Sequence, residues 1–356
     1  MAGERRRARW GDGVRVLLAA WLAMALGACE RDPFQATRDA EPSTEIRAQV
    51  DSVIVGYRAV VGWPQLQTDL HLGEVAGIAV DAHDHVFLFH RAGRGWDTET
   101  VAPIAEPTVL QLDGASGRLL QAWGANRFRL PHGVTLDAAG NVWLTDAALH
   151  QVFEFSHEGV PLRVLGQAGV PRWDGQHFNR PTDVATREDG RVFISDGYEN
   201  QRVVEVDADG RYTREWGRRG SGEGEFELPH SIVTFAGSLL VADRDNNRIV
   251  VFDSNGAFRS SWKPVPSARV YALAVDAMGG LFVGVRNDGF GVGAVVRLDG
   301  AGRVTHSLGA LAQGSGEFLA VHDIAVGADG ALYIAENREG SVRKFVPVKA
   351  ARATKQ

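Results

Sequence analysis

The stretch "GVTLDAAGNVWLTDAALHQVFEF", residues 133–155, holds three short apolar runs separated by a "DxxG" turn and a polar loop. Runs this short, rich in Val, Leu and Phe and bounded by turn residues, predict β-strands rather than helices. The same shape returns in "DVATREDGRVFISDGYENQRVVEV" (183–206), "SIVTFAGSLLVADRDNNRIVVFD" (231–253) and "DIAVGADGALYIAENREGSVRKF" (323–345). "GIAVDAHDHVFLFHR" (77–91) and "LAVDAMGGLFVGVRNDGFGVGAVVRLD" (273–299) complete a set of six. A period of about 40–55 residues with four short strands per unit predicts a β-propeller. We therefore expect an all-β, six-bladed ring of four-stranded antiparallel blades over residues 51–348, with apolar and polar residues alternating along the strands. The last copy ends after its third strand. Residues 57–64, "YRAVVGWP", are expected to supply the fourth from the N-terminal side, which closes the ring and leaves no free sheet edge.

Composition narrows the class. A hydrophobic fraction of 44% with 23% charged residues suits a soluble body with a large core. The net charge of −6, without a basic stripe interleaved with aromatics, argues against a nucleic-acid partner.

The N-terminus reads as a targeting segment. A basic stretch, "MAGERRRARWGDGVR" (1–15), leads into the apolar run "VLLAAWLAMALGA" (16–28), too short to be read as a spanning helix. The run ends in "LGAC", which resembles a bacterial lipobox, so residues 1–28 are expected to be a lipoprotein signal and Cys29 the lipidated residue. Cys29 is the only cysteine, as befits a thiol used for attachment, and the folded body therefore has no disulfide. Glu30 after the cysteine points to an envelope protein at the outer membrane, on the periplasmic side. Residues 29–50 read as the anchor and a polar tether, and 349–356 as a basic tail.

Histidine falls in phase with the repeat. "LPH" at 130–132 and again at 228–230 stands directly ahead of an apolar strand. Counted along the repeat, the position of His132 is filled in turn by Ala76, His132, Thr182, His230, Tyr271 and His322. Histidine thus occupies every second blade on the innermost strand, so three imidazoles are expected to converge on the central axis with a fourth direction open, as a catalytic zinc requires. A lone histidine at a strand start is ordinarily a hydrogen-bonded structural residue; the common phase of three argues for a metal. The other eight, among them His83, His85, His150 and His177, share no repeat position and read as surface or turn residues.

Strand direction places the loops between second and third strands on the same face as the histidines. Those loops carry Arg91, Tyr198 and Arg244. Arginine offers a planar fork for a carboxylate. A phenol beside a dication and a guanidinium is expected to have a lowered pKa and to serve as a base. The structural alternative for either arginine is a staple between blades through turn carboxylates.

The segments "HRAGRGWD", "LPHGVTLDAAGNVWLTDAALHQVF", "RPTDVA", "VFISDGYENQRVV", "LPHSI", "VADRDNNRI" and "VHDIAV" closely resemble the peptidylamidoglycolate lyase family, over roughly residues 55–346 and in the same order. The resemblance is more specific than that to NHL-repeat propellers in general. It implies zinc on His132, His230 and His322, an active-site Tyr198, and Arg91 and Arg244 beside it. It also implies a structural calcium held by the backbone carbonyls of Ile78 and Val134 and by Asp323, a plausible oxygen set for that ion. The implied reaction cleaves a peptidyl- or N-acyl-α-hydroxyglycine to an amide and glyoxylate, with Tyr198 taking the hydroxyl proton, Arg91 holding the carboxylate and Arg244 orienting the substrate. This sequence departs from the animal pattern at Ala320, where a methionine is expected, and in its lack of disulfides.

Two other functions compete with this one. A propeller hydrolase or lactonase would use carboxylate and Asn ligands for calcium, and the channel positions here are imidazoles. A non-catalytic envelope scaffold would need neither Tyr198 nor Arg91 beside three histidines.

Overall fold

The computed structural model describes residues 56–66, 70, 72–96, 102–288, 292–309, 320–337 and 340–348. The segments expected to be the signal, the lipidated Cys29, the tether and the basic tail lie outside them. No helix among the described residues is long and apolar enough to cross a membrane.

Six four-stranded antiparallel sheets follow one another around the ring. The first five blades take their strands in chain order, and blade one runs from Val75–Val80 outward to Leu119–Trp123. The sixth is built from Val321–Val326, Leu332–Glu336 and Ser341–Pro347, and its outer strand is Tyr57–Ala59. The N-terminal closure is as expected, but the strand is shorter than 57–64. Tyr57, Arg58 and Ala59 pair with Pro347, Val346 and Phe345, after which the chain turns. Trp63 then buries its indole, which donates to the Gly114 carbonyl at 2.9 Å and packs on Tyr333.

The alternation expected in every strand appears only in the outermost ones. Leu119–Trp123 and Phe258–Trp262 alternate between half-buried and exposed, whereas Val142–Asp146, Gln151–Phe155, Val192–Asp196, Arg202–Val206 and Arg248–Phe252 are buried throughout. A blade's middle strands are covered on both faces by neighbouring blades, so their sequences need no polar side. Between blades one and two, for example, Phe87, Phe89, Phe128, Val134, Leu144 and Phe153 share one core, with Phe89 and Phe128 edge to face at 4.9 Å. Burying each such side chain contributes about 1.5–3 kcal/mol.

The "DxxG" turns have one construction. Asp137 Oδ1 accepts from the amides of Ala139 and Asn141, both at 2.9 Å, and Gly140 takes a positive φ of 83° that its lack of a Cβ allows. Asp253, Asp276 and Asp299 close equivalent turns.

Candidate metal centre

The positions counted along the repeat coincide with a backbone irregularity. The ladder between first and second strands shifts register at His132, His230 and His322, and likewise at Ala76 and Tyr271. A bulge re-aims one residue out of the regular alternation. Here it turns the histidines toward the axis, while the strand beyond resumes its packing between blades.

The approach to each bulge is fixed by an acid at the end of the second strand. Asp146 Oδ2 accepts from the amides of Arg129 and Leu130 at 2.6 and 2.9 Å, and Asp243 Oδ1 from those of Glu227 and Leu228 at 2.9 and 3.2 Å. Both "LPH" segments are therefore held by one device. Gly133 is needed for close approach, since a Cβ there would lie 2.5 Å from the Thr182 carbonyl.

Each imidazole is oriented by the next blade. Nδ1 of His132 donates to Thr182 O, Nδ1 of His230 to Tyr271 O and Nδ1 of His322 to Ala76 O, all at 2.7 Å. The three acceptors are the non-histidine members of the same register. With Nδ1 committed as donor, Nε2 of each ring keeps its lone pair. The ring centroids form a nearly equilateral triangle with sides of 4.8, 4.9 and 4.8 Å, and the ligand atoms lie within 4.8 Å of one another. All three side chains are buried. Burial, reinforced by the charge of Arg91, pushes His132 down to about 3; burial and the neighbouring rings hold His230 and His322 well below the usual range. Three neutral imidazoles are what a metal ion needs, and His230 Nε2 is buried with no hydrogen-bond partner. The residues fit a metal ion.

The loop residues expected at the mouth are all there. The Tyr198 hydroxyl donates to His132 Nε2 at 3.0 Å, and its ring packs on Trp96 with centroids 4.5 Å apart. Arg244 lies over the rings of Tyr198 and Tyr271 at 5.7 and 5.2 Å. Arg91 is fully buried: Nε donates to the Pro131 carbonyl at 2.9 Å, Nη1 pairs with Glu74, and Nη2 has no partner. It is thus a staple between blades one and two and at the same time a cation with a free donor. The expected lowering of the Tyr198 pKa is corrected: in the chain by itself burial raises the phenol, and Arg244 and Arg91 oppose that rise without reversing it.

Sequence reasoning missed part of this wall. Tyr271 carries Arg286 at 4.2 Å over its ring and donates to Asp288 at 2.9 Å, while Arg269 also pairs with Asp288 at 2.9 Å. Trp96 touches Arg91, Tyr198 and His132, yet it sits in a loop that the repeat does not index.

One residue past the register, the channel becomes acidic. Asp323 Oδ2 accepts from Ile78 N and Oδ1 from Ile324 N, both at 2.9 Å. Asp183, the matching residue of blade three, accepts from Val184 N at 2.8 Å and from Ser231 Oγ and Ile232 N at 3.0 Å. Both line one cavity with Ile78 and Val134. Burial and the Asp183 charge drive Asp323 well above the carboxylate range, and burial lifts Asp183 to about 6. Asp183 was legible in "PTDVA" against "VHDIA" by the count that found the histidines.

Of the remaining histidines, His83, His150 and His177 occupy turns and loops as expected, whereas His85 opens the strand His85–His90. His90 does not; it is 1% exposed at the end of a blade-one strand.

The chain is 35% identical over 312 residues to peptidyl-glycine alpha-amidating monooxygenase B of Xenopus laevis, covering 81% of this chain and 35% of that protein. It is 33% identical over 323 residues to peptidyl-alpha-hydroxyglycine alpha-amidating lyase 1 of Drosophila melanogaster, covering 80% of this chain and 58% of that one. The chain is related to the amidating lyases. It spans about a third of the Xenopus relative and just over half of the Drosophila one. A solved streptogramin B lyase shares the architecture, with a TM-score of 0.55 over 82% of this chain and 97% of that one, at 13% identity; this likeness concerns the fold alone. No family model matches the chain.

Proposed function

We propose that the protein is a zinc-dependent carbon–nitrogen lyase that cleaves a peptidyl- or N-acyl-α-hydroxyglycine into an amide and glyoxylate. The observation that carries this reading is the tyrosine placed against one of three carbonyl-oriented imidazoles and flanked by two guanidiniums. The relatedness to amidating lyases supports it.

His132, His230 and His322 would hold the zinc, which when bound supplies Lewis-acid polarisation of the carbinol hydroxyl. Arg91 binds the substrate carboxylate through its unpartnered Nη2, a charge-assisted contact in a buried site. Burial holds the Tyr198 phenol up in the chain by itself; with zinc bound, the ion's charge would add to those of Arg244 and Arg91 in favouring the phenolate, which would take the carbinol proton. As that O–H bond breaks, its electrons form the aldehyde C=O, the C–N bond breaks, and the amide nitrogen leaves with its electron pair and takes up the proton from the Tyr198 phenol, which restores the phenolate. Trp96 covers Tyr198 and restricts water there. No redox partner is required.

Calcium is proposed for the acidic stretch of the channel, on the carbonyls of Ile78 and Val134 and on Asp323, with Asp183 adding a second negative charge. A divalent ion would remove the penalty of two buried carboxylates.

The deciding assay supplies α-hydroxyhippurate to the zinc-loaded protein and measures glyoxylate. Release is expected; none from correctly folded, zinc-containing protein overturns the reading. The export signal and the lipid on Cys29 complete the proposal and place the enzyme in a bacterial envelope, on the periplasmic side of the outer membrane. Incorporation of labelled fatty acid should disappear in Cys29→Ala; unchanged labelling, or none in the parent, refutes the anchor.

A further inference from the structure

A second cluster of ligand-type side chains stands on the opposite face of the ring, where the first turn of blade one meets the outer turn of blade two. Asp81 closes the blade-one turn as Asp137 does in blade two: Oδ1 accepts from the amides of His83 and His85, both at 2.8 Å. In blade two the other oxygen, Asp137 Oδ2, is satisfied by the side-chain amide of Asn141 and the indole of Trp143, both at 3.1 Å. In blade one Oδ2 faces imidazoles instead. His85 Nδ1 lies 2.9 Å from it and His157 Nε2 2.8 Å, and His83 Nδ1 stands 3.8 Å away. The ligand atoms of Asp81, His85 and His157 all fall within 4.8 Å of one another.

We propose that Asp81, His85 and His157 bind a second divalent transition-metal ion of the zinc class, clamping blade one to blade two, with His83 in reach as a fourth ligand. Two imidazoles and a carboxylate form a donor set suited to zinc, copper or nickel, and poor for calcium or magnesium, which prefer oxygen alone. Asp81 is held rigidly, since its side chain is only 7% exposed and two backbone amides fix its carboxylate. His85 and His157 are 31% and 29% exposed, so an ion can reach them from solvent and keep a water in an open position. Ligands around an ion at about 2.0–2.1 Å stand about 3.3 Å apart, so the two imidazoles need to open by about half an ångström. The sequence signal is "DAHDH", 81–85, which lies off the histidine register and so reads as an ordinary turn. The site does not depend on the lyase reading.

The test dialyses the whole chain against zinc and measures bound metal in the parent, in His85→Gln/His157→Gln and in His230→Ala/His322→Ala. The cluster variant is expected to hold about one ion fewer per chain than the parent. The triad variant should keep the cluster's ion, and zinc should raise its melting temperature. Zinc-edge anomalous scattering should show a peak within about 2.0–2.2 Å of Asp81 Oδ2, His85 Nδ1 and His157 Nε2. Asp81 itself is left intact because its loss would unmake the turn, and His157→Gln alone serves if the double variant does not fold. Equal zinc content in the parent and the cluster variant overturns the proposal, as does an empty cluster in the anomalous map.

Discussion

His322 Nδ1 donates to the carbonyl of Ala76 at 2.7 Å, across the seam where the last blade meets the first. The two residues are far apart in sequence, and the third imidazole takes its orientation only when the ring is shut. Metal site and ring closure are therefore coupled, and cutting one should be visible in the other.

A chain beginning at residue 61 instead of 56 loses the strand Tyr57–Ala59 and leaves Ser341–Pro347 as an open edge. We expect a melting temperature lower by about 2–4 °C for each kcal/mol that the strand contributes, and a tendency to associate, because an unpaired edge invites strand addition. Differential scanning and size-exclusion chromatography check this. Identical melting of the two chains would show that the closing strand adds no stability.

His230→Ala should abolish high-affinity metal binding at the triad, since two imidazoles remain of three. A chelator should lower the melting temperature of the parent by more than that of the variant, because a ligand bound only to the native state stabilises it by mass action. Equal chelator sensitivity of the two would remove the triad as a metal site.

Tyr198→Phe deletes the hydroxyl 3.0 Å from His132 Nε2 and leaves the ring on Trp96. Metal content should be unchanged while glyoxylate release falls by roughly 10²–10⁴-fold, the range for a lost general base. Retained turnover would take Tyr198 out of the chemistry.

Thr182→Val separates backbone from side-chain effects. The carbonyl that orients His132 survives, so metal affinity should hold. The Thr182 hydroxyl, bonded to Ser195 and to the Pro229 carbonyl, is lost from a buried site at a cost of about 1–3 kcal/mol. Denaturant unfolding and metal titration read the two separately. A large drop in metal affinity would contradict orientation by the carbonyl.

In the metal-stripped chain the buried histidines should weaken the fold as pH falls, while Asp183, lifted to about 6, acts in the opposite sense. Burial pushes His90 down to about 4 in the folded state, against an ordinary value of 6.5, and His150 behaves alike. Between those values each of these two histidines binds more protons in the unfolded chain, so its contribution to stability falls as pH falls from about 6.5 through 4. His90→Gln should flatten melting temperature against pH in that window. A slope identical to the parent's would assign the effect elsewhere.

The sequence carried the ring, the blade count and the phase of the histidines, because spacing and turn chemistry alone determine those. It also placed Arg91, Tyr198 and Arg244 on the correct face. What lay beyond it depends on atoms with no residue signature. The acceptors for His132, His230 and His322 are backbone carbonyls of a threonine, a tyrosine and an alanine, so no side chain could have announced them. The bulges that turn the imidazoles inward are equally silent. The burial that raises the Tyr198 phenol arises from Trp96 and from blades distant in the chain.

The register alternates imidazole and carbonyl around the axis, each blade's ring leaning on the backbone of the next. Such an alternation closes on itself only when the number of blades is even, and it yields three evenly spaced ligands only when that number is six. Gaining or losing one blade, a change that repeat architectures often absorb, would here set two donors or two acceptors side by side. Coordination chemistry thus imposes an arithmetic on the ring, and fixes a copy number that packing between blades by itself would leave free.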